Sequence, residues 1–163
     1  AQAGIQAVKL DSGSEAGMTD NKIISVFGAC GERDRGKRPI MGEIVSRYAD
    51  YIILTNEDPY YEEPEQIIDE IEAGIIKKSQ IPNLKAQTNS NNQNPITKIE
   101  GVNFFKILDR REAIKKALQI AKPGDYIIVT GKGAEETMAI GKERIKWNDR
   151  SVIMEILNSK FEI

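Results

Sequence analysis

Three connecting segments of this 163-residue chain carry side chains that could bind a charged ligand. The basic loop, residues 28–39, holds four cations and leads into a helix start; the acidic loop is residues 56–64; the glycine loop, residues 131–136, contains Gly-Lys-Gly and two carboxylates. Guanidinium groups and backbone N–H groups at a helix N-terminus bind carboxylates or phosphates, and an acidic loop can receive an ammonium group. The basic and acidic loops together predict a site for a zwitterion.

Each loop also has a simpler interpretation. The basic loop could be a solvated charged surface, and the acidic loop could be a turn around Pro59 followed by an acidic helix start. The glycine loop lacks the spacing and the terminal Lys-Ser/Thr of a Walker motif. ATP binding by this chain is therefore not expected.

Composition excludes several classes of function. The 23 Lys and Arg residues against 25 Asp and Glu argue against a nucleic-acid footprint or attraction to an anionic membrane. His is absent, which excludes Ser-His and Cys-His catalysis, and the single cysteine, Cys30, leaves no disulfide framework or cysteine metal cluster. No apolar run is long enough to cross a bilayer. The composition predicts a cytoplasmic protein with no metal site, no nucleic-acid partner and no membrane partner.

Strands and helices that would position the loops alternate along the chain. Apolar runs predict buried strands at residues 23–27, 51–55, 104–108 and 126–130. Helices are predicted from Pro64 to Gly74, over residues 110–121 and 149–158, and from Pro39 with an apolar face of Ile40, Ile44, Val45 and Tyr48. Strand–loop–helix units in series predict an α/β, Rossmann-like fold, with a mainly parallel sheet and helices on both faces. Ligands bind such sheets at the carboxyl ends of strands, which is where the three loops begin.

Two segments are predicted to lie apart from this pattern. Residues 1–21 are rich in Gly, Ser, Ala and acidic residues, and we interpret them as a leader, an interdomain linker or an expression remnant. Residues 22–163 form one domain, within which residues 85–97 are dominated by Asn, Gln and Lys and predict a mobile surface insertion.

Four blocks occur in a fixed order: GERDRGKRPIMG at 31–42, AKPGD at 121–125, GKGAE at 131–135 and NDR at 148–150. They resemble the G-D-R-D-x-G-K-R-P-x-M-G, A-K-P-G-D, G-K-G-H-E and D-D-R blocks of the Mur ligase family, in its UDP-N-acetylmuramoyl-tripeptide synthetases. The resemblance covers about residues 22–157. Two positions depart from it, Glu32 in place of Asp and Ala134 in place of His, and the family's opening Tyr-Ala-His-Thr-Pro segment is missing before Lys22.

This resemblance implies the amino-acid-presenting C-terminal domain of an ATP-dependent ligase, which adds the third residue to a UDP-muramoyl dipeptide in peptidoglycan synthesis. ATP and Mg²⁺ would bind the central and N-terminal domains of the parent enzyme, so this domain alone is expected to hold no cofactor and no catalytic residue, and to be inactive. By family position, Arg33 would bind the carboxylate of the free amino acid, and Gly131 and Glu135 would contact its distal part. The residues expected to support these loops are Asp34, Lys37, Arg38, Glu57 and Lys132.

The amino acid that the resemblance favours is L-lysine or a close analogue such as ornithine. Family members that add meso-diaminopimelate carry D-N-P-R in the acidic loop, and the Arg binds the distal carboxylate. This sequence has Glu57-Asp58-Pro59-Tyr60 there, and Tyr60 cannot replace that cation. Asp58 resembles the D-D-P pattern of lysine-adding members, in which carboxylates receive an ammonium group.

Three alternatives share parts of this pattern. A cyanophycin synthetase or folylpolyglutamate synthetase would have the same fold, although the G-K-R-P and G-K-G-x-E blocks argue against it. A non-enzymatic module could capture anions or a protein partner through the basic loop. An RNA-binding domain using Arg33, Arg35, Lys37 and Arg38 would need interleaved aromatic residues and a basic overall charge, which the sequence lacks.

Overall fold

Strands and helices alternate through most of the chain, as the apolar runs and amphipathic segments predict. The computed structural model describes residues 4–9, 21–79, 101 and 103–161, so the insertion predicted at residues 85–97 lies outside the described residues. The strands are β1 (Gly4–Lys9), β2 (Ile23–Phe27), β3 (Tyr51–Leu54), β4 (Phe104–Lys106), β5 (Tyr126–Gly131), β6 (Thr137–Ile140) and β7 (Glu143–Lys146). The helices are α1 (Lys37–Tyr48), α2 (Pro64–Ser79), α3 (Arg110–Ile120) and α4 (Asp149–Phe161).

The main sheet has the strand order β1-β5-β2-β3-β4. Strands β5, β2, β3 and β4 are parallel neighbours, and β1 pairs antiparallel with β5 at one edge. The predicted α/β class with a mainly parallel sheet is confirmed. The carboxyl ends of parallel neighbours meet at one edge of a sheet, so the basic, acidic and glycine loops all leave from the same edge.

Both faces of this sheet are buried under helices. Alternate residues of each central strand point to opposite sides, so each strand contributes to a core cluster on either face. On one face, Ile24 of β2 packs in a cluster with residues of α3 and with Ile153 of α4. On the other face, Phe27 of β2 packs in a cluster with Ile71 of α2 and with Val45 of α1. Helices α1 and α2 therefore cover one face, and α3 and α4 cover the other.

Helix α1 turns a different face to the core from the one predicted. The apolar spacing predicts that Ile40, Ile44, Val45 and Tyr48 point inward. Val45 does pack against the core, but Ile40, Ile44 and Tyr48 are 54%, 49% and 70% exposed. A Cβ at Gly42 would lie 2.0 Å from the Ile71 carbonyl oxygen of α2. Since such a close helix crossing needs a small residue, α1 turns Gly42 toward α2 and its larger side chains toward solvent.

Helix α2 continues beyond its predicted end. The sequence predicts that Gly74 ends the helix, but α2 runs to Ser79. A Cβ at Gly74 would lie 1.8 Å from the Pro39 carbonyl oxygen of α1. Gly74 therefore permits the close packing of the two helices and does not terminate α2.

Three strands were not predicted from the sequence. Strand β1 falls within residues 1–21, and it pairs with β5 from Gly4 opposite Gly131 to Lys9 opposite Tyr126. The origin of residues 1–21 as a leader, linker or remnant stays a prediction. Strands β6 and β7 form an antiparallel hairpin after the glycine loop. No helix within the described ranges is long and apolar enough to cross a membrane.

Candidate functional site

The basic and acidic loops lie directly against each other at the carboxyl edge of the sheet. The Gly31 N–H donates to the Asp58 carbonyl oxygen at 2.7 Å. A Cβ at Gly28 would lie 2.2 Å from the Thr55 carbonyl oxygen, and one at Gly31 would lie 1.9 Å from that of Pro59. Glycine is required at both positions because the two backbones are in contact.

Arg38 fixes both loops from the protein interior. Its side chain is 1% exposed, and Nη1 donates to Glu62 at 2.8 Å and to Glu70 at 2.7 Å. Nη2 donates to the Cys30 carbonyl oxygen at 3.2 Å, and Glu62 also accepts from the Glu32 N–H. The hydrogen bonds from Arg38, with that from Glu32, lower the pKa of Glu62 to about 2. Arg38 therefore holds the loops together and does not face solvent.

Five charged residues of the basic loop are exposed: Glu32, Arg33, Asp34, Arg35 and Lys37. Burial raises the pKa of the Cys30 thiol, the Arg33 side chain opposes the shift, and the charges of Glu57 and Asp58 add to it. The charges of the basic and acidic loops thus act on the same thiol.

Lys132 connects the acidic loop to the glycine loop. Its side chain is buried, and Nζ donates to both oxygens of Asp58, at 2.8 and 2.7 Å, and to Glu135 at 2.6 Å. Burial alone would lower the pKa of Lys132, but the bonds to Asp58 and Glu135 outweigh that effect and raise it. The glycine loop is therefore anchored by its own lysine.

This arrangement gives Asp58 different partners from those that the resemblance implies. Asp58 was expected to receive the ammonium group of an amino acid, but its carboxylate is buried and holds Lys132 and the Ala139 N–H of β6, the latter at 2.7 Å. Glu135 is exposed, and only its Oε2 is hydrogen-bonded within the described ranges. Asp58 therefore fixes the acidic loop, and Glu135 keeps an oxygen that a ligand can reach.

Glu57 carries a half-buried carboxylate with no hydrogen bond in the part of the chain that the structure describes. It packs on Gly131, where a Cβ would lie 2.3 Å from Oε2 of Glu57. Gly131 has a φ of +115°, which favours glycine. Burial raises the pKa of Glu57 to about 7, and the positive charge of Arg110 opposes the shift. A carboxylate without an internal donor is suited to an ammonium group.

A buried ion pair joins the strand ends near Glu57. Nε and Nη2 of Arg110, the first residue of α3, each donate to Asp149 at 2.8 Å, and both side chains are buried. Nη1 donates to the Asn56 carbonyl oxygen at 3.2 Å, and Nη2 donates to that of Thr130 at 2.8 Å. Arg110 therefore connects the acidic loop to the end of β5.

The sequence indicates Asp149 only as part of the N-D-R block and does not single out Arg110. One feature of the sequence could have identified Arg110. A cation at the first position of a helix opposes the helix dipole, so a buried arginine there needs a specific anionic partner.

The β6–β7 hairpin lies over the acidic loop. The Gly141 N–H donates to the Tyr60 carbonyl oxygen at 2.8 Å, and the Arg144 guanidinium lies 6.0 Å from the centroid of the Tyr60 ring. A cavity of about 290 Å³ opens between the hairpin and the starts of α2 and α3, with Ile140 and Ile145 in its walls. The hairpin therefore brings a cation and apolar surface to the acidic loop.

The glycine loop does not fit the phosphates of ATP, and the described residues do not fit a magnesium ion. The cation of the glycine loop, Lys132, is committed to Asp58 and Glu135. Within the described ranges, no group of three Cys, Asp or Glu side chains is arranged to hold a metal ion. No reaction step through either group follows from these residues.

The chain is similar to known proteins over most of its length. Residues 9–133 match the family described as "Mur ligase, glutamate ligase domain". The UDP-N-acetylmuramoyl-L-alanyl-D-glutamate--2,6-diaminopimelate ligase of Aquifex aeolicus is 41% identical over 140 residues, which are 86% of this chain and 24% of that protein. The enzyme of the same name from Alkaliphilus oremlandii is 43% identical over 136 residues, 83% of this chain and 23% of that protein.

A solved structure of a UDP-N-acetylmuramoyl-L-alanyl-D-glutamate--2,6-diaminopimelate ligase has the same fold in its matching part. It superposes with a TM-score of 0.68 and 30% identity, covering 88% of this chain and 25% of that one. The chain thus spans about a quarter of the length of the relatives it matches.

Proposed function

This chain belongs to the Mur ligase family, as its C-terminal glutamate ligase domain, and from that membership we propose that its three loops hold the amino acid that such a ligase joins to a UDP-N-acetylmuramoyl dipeptide. One observation carries the proposal: the loop that bears the exposed cation of Arg33 lies in backbone contact with the acidic loop, in which the half-buried carboxylate of Glu57 has no hydrogen bond within the described ranges. An amino acid carries one charge of each sign. A site with separate partners for the two charges is therefore suited to it.

The two ends of the amino acid have different partners in this proposal. Arg33 binds the carboxylate, since a planar guanidinium can donate two parallel hydrogen bonds to it. Glu57 and the free oxygen of Glu135 receive ammonium groups. Lys132 and Asp58 do not touch the ligand and hold Glu135 and the acidic loop in place.

Binding at both ends contributes to ligation by fixing the direction of the amine. Holding a nucleophile in one orientation lowers the entropic part of the barrier to its attack. The amine must also lose a proton before it can attack, and Glu57, whose pKa is raised to about 7, can accept a proton near neutral pH. We propose that activation of the acyl group takes place in the central domain of a longer ligase, because the glycine loop, whose lysine is committed to Asp58 and Glu135, does not fit ATP.

We propose a diamino acid as the ligand, with 2,6-diaminopimelate ahead of L-lysine. The relatives are named for 2,6-diaminopimelate. Arg144 lies beside Tyr60 and supplies a cation where residue 60 itself has none. Asp58, on which the expectation of lysine depends, is occupied by Lys132.

L-lysine is the second candidate because one observation still favours it. Tyr60 stands where the diaminopimelate-adding block has arginine, and Arg144 is 6.0 Å from the Tyr60 ring with no hydrogen bond to a described residue that would fix it there. Ornithine has the same charges as lysine on a shorter side chain, so it tests how deep the ammonium site lies.

The test is an amide chemical-shift titration of the 163-residue chain with meso-diaminopimelate, L-lysine and L-ornithine at millimolar concentrations. We expect shifts at Arg33, Glu57 and Gly131 that saturate at the lowest concentration with meso-diaminopimelate. Arg33→Ala should abolish them, since the carboxylate loses its partner. Arg47→Ala removes an exposed cation from α1 and should leave them unchanged.

Each outcome of the titration is informative. If the amide shifts saturate at a lower concentration of lysine than of diaminopimelate, the proposal that the loops hold an amino acid stands and the preference for diaminopimelate is overturned. No shifts with any of the three amino acids, or equal shifts in Arg33→Ala and the unaltered chain, would contradict the proposed function.

A further inference from the structure

Arg110 is a buried cation in a position that ordinarily disfavours one. It is the first residue of α3, where the helix dipole favours a negative charge, and it is 2% exposed. All three guanidinium nitrogens donate hydrogen bonds: Nε and Nη2 to Asp149, Nη1 to the Asn56 carbonyl oxygen, and Nη2 also to that of Thr130. The arginine therefore contacts two segments that are not part of its own helix.

Both carbonyl acceptors lie one residue before a position of the candidate site. Asn56 precedes Glu57, and Thr130 precedes Gly131. Oε2 of Glu57 lies where it would be 2.3 Å from a Cβ at residue 131, so the side chain of one segment rests on the backbone of the other. A small change in the spacing of the two segments would move the Glu57 carboxylate.

Asp149 holds the Arg110 guanidinium in one orientation. It accepts from two of the guanidinium nitrogens, and its Oδ1 also accepts from Nε1 of Trp147 at 2.8 Å. Asp149 is the first residue of α4 and is 0% exposed. A planar fork that is bonded on both sides cannot rotate, so it fixes the distance between the two carbonyl groups that it contacts.

We propose that Arg110, held by Asp149, is a positioning residue that keeps the Glu57 carboxylate against Gly131, in the orientation in which it receives an amino group of the ligand. The identity of the ligand rests on the proposed function. The position of Glu57 relative to Gly131 does not, and it can be measured without a ligand.

The alternative is that the ion pair serves the stability of the fold alone. Buried ion pairs are weak contributors to stability, because desolvation of the two charges offsets their attraction. The carbonyl oxygens that accept from Arg110 also belong to the segments that carry Glu57 and Gly131, and not to the first turn of α3. Both points favour positioning.

The charges around Glu57 provide a readout that a purely structural role would not change. Four charged groups act on its carboxylate: Arg110, Asp58, Lys132 and Glu135. Among these, Arg110 has the largest effect, and it favours the charged form of Glu57. Loss of the Arg110 charge, in a chain that remains folded, should therefore raise the pH at which Glu57 loses its proton.

The experiment compares Arg110→Gln and Arg110→Lys in the 163-residue chain, without ligand and then with meso-diaminopimelate. A ¹³C-detected titration of the Glu57 carboxyl carbon gives its midpoint, and a nuclear Overhauser effect between the Glu57 side chain and the Gly131 Hα reports their contact. Arg110→Gln should raise the midpoint above about 7 and remove the contact. It should also weaken ligand binding roughly tenfold to a hundredfold, the usual loss when a hydrogen bond to a charged group is removed.

Arg110→Lys separates charge from geometry. A lysine keeps the positive charge but cannot make the planar, two-sided set of hydrogen bonds. We expect a midpoint close to that of the unaltered chain, with the contact and the ligand binding still weakened. Arg111→Gln is the matched control, since it removes the next arginine of α3, which is exposed and pairs with exposed Glu155.

The outcomes that overturn the proposal are distinct from those that overturn the proposed function. The positioning proposal would be overturned if a folded Arg110→Gln variant had the same Glu57 titration midpoint, the same Glu57–Gly131 contact and the same ligand affinity as Arg111→Gln. If Arg110→Gln does not fold, Asp149→Asn and Arg110→Lys replace it, and failure of all three to fold would assign the pair to the fold alone. If the midpoint and contact depend on Arg110 but no amino acid binds, the positioning role stands and the proposed function fails.

Discussion

At the scale of single residues, Glu57 is a carboxylate that costs the protein stability when it is charged. Its pKa is raised from 4.5 to about 7, chiefly by burial, so the folded chain holds this proton more tightly than the unfolded chain does. The cost is absent below the unfolded pKa. It grows as the pH rises from about 4.5 to 7 and is fully present above 7.

Glu57→Gln should remove this cost. We expect the free energy of unfolding to rise by about 2 kcal/mol at pH 8 and to be nearly unchanged at pH 4. Urea denaturation at the two pH values measures the difference. Glu63→Gln, which changes an exposed carboxylate of the same loop, is the control. An equal gain at both pH values would mean that the charge of Glu57 is not its source.

Gly131→Ala tests the packing of Glu57 on the end of β5. The new Cβ would lie 2.3 Å from Oε2 of Glu57, on a residue whose φ is +115°. We expect the amide chemical-shift changes caused by added amino acid to disappear. We also expect the free energy of unfolding to fall by about 2–4 kcal/mol, because the backbone is strained and the Glu57 side chain is displaced. Thermal denaturation and the amide titration measure the two effects.

The control for that change is Gly141→Ala. Gly141 also has a positive φ, +57°, but nothing lies within 4 Å of a Cβ there. Its substitution should cost only backbone strain, about 1 kcal/mol, and leave amino-acid binding intact. Equal effects of the two alanines on binding would refute the close contact between Glu57 and Gly131.

At the scale of elements, the crossing of α1 and α2 depends on two glycines. In an isolated helix, Gly74→Ala should stabilise by about 1 kcal/mol through helix propensity. Here the new Cβ would lie 1.8 Å from the Pro39 carbonyl oxygen, so α1 and α2 must separate. We therefore expect a net destabilisation of about 1–3 kcal/mol. Net stabilisation in urea denaturation would contradict the close crossing.

The same crossing explains why the sequence predicted α1 but not its orientation. The spacing of Ile40, Ile44 and Tyr48 is that of a buried helix face, and a helix forms there. Which face is buried depends on how closely α2 approaches, and that is decided by Gly42 and Gly74, which leave no mark in hydrophobic periodicity.

The candidate site was predictable to a similar extent. The motif blocks indicate Arg33, Gly131 and Glu135 as ligand-binding positions, and these remain predictions. The partners of Asp58 could not be predicted, because Lys132 is 74 positions away and either residue alone suits a ligand. Pairing between two such groups is a property of the folded chain.

At the scale of the whole molecule, the meeting of the three loops follows from topology. The loops follow β2, β3 and β5, and these strands are adjacent in the order β5-β2-β3. The series of strand–loop–helix units was enough to predict a parallel sheet with the loops at one edge. The antiparallel strand β1 was not predicted, because its short run of mixed residues has neither a strong apolar pattern nor a turn that links it to β5.

Strand β1 has a consequence for the behaviour of the protein in concentrated solution. It pairs with β5 along residues 126–131, on the side of β5 away from β2. A chain that begins at residue 21 would leave that row of backbone N–H and C=O groups unpaired, beside apolar residues such as Ile127 and Val129, and an open edge of this kind recruits strands from other chains. We expect the shortened chain to form oligomers as its concentration rises, measured by light scattering, whereas a monomer at all concentrations would contradict this. Strand β1 would then protect the protein from aggregation, and its removal would lower the solubility.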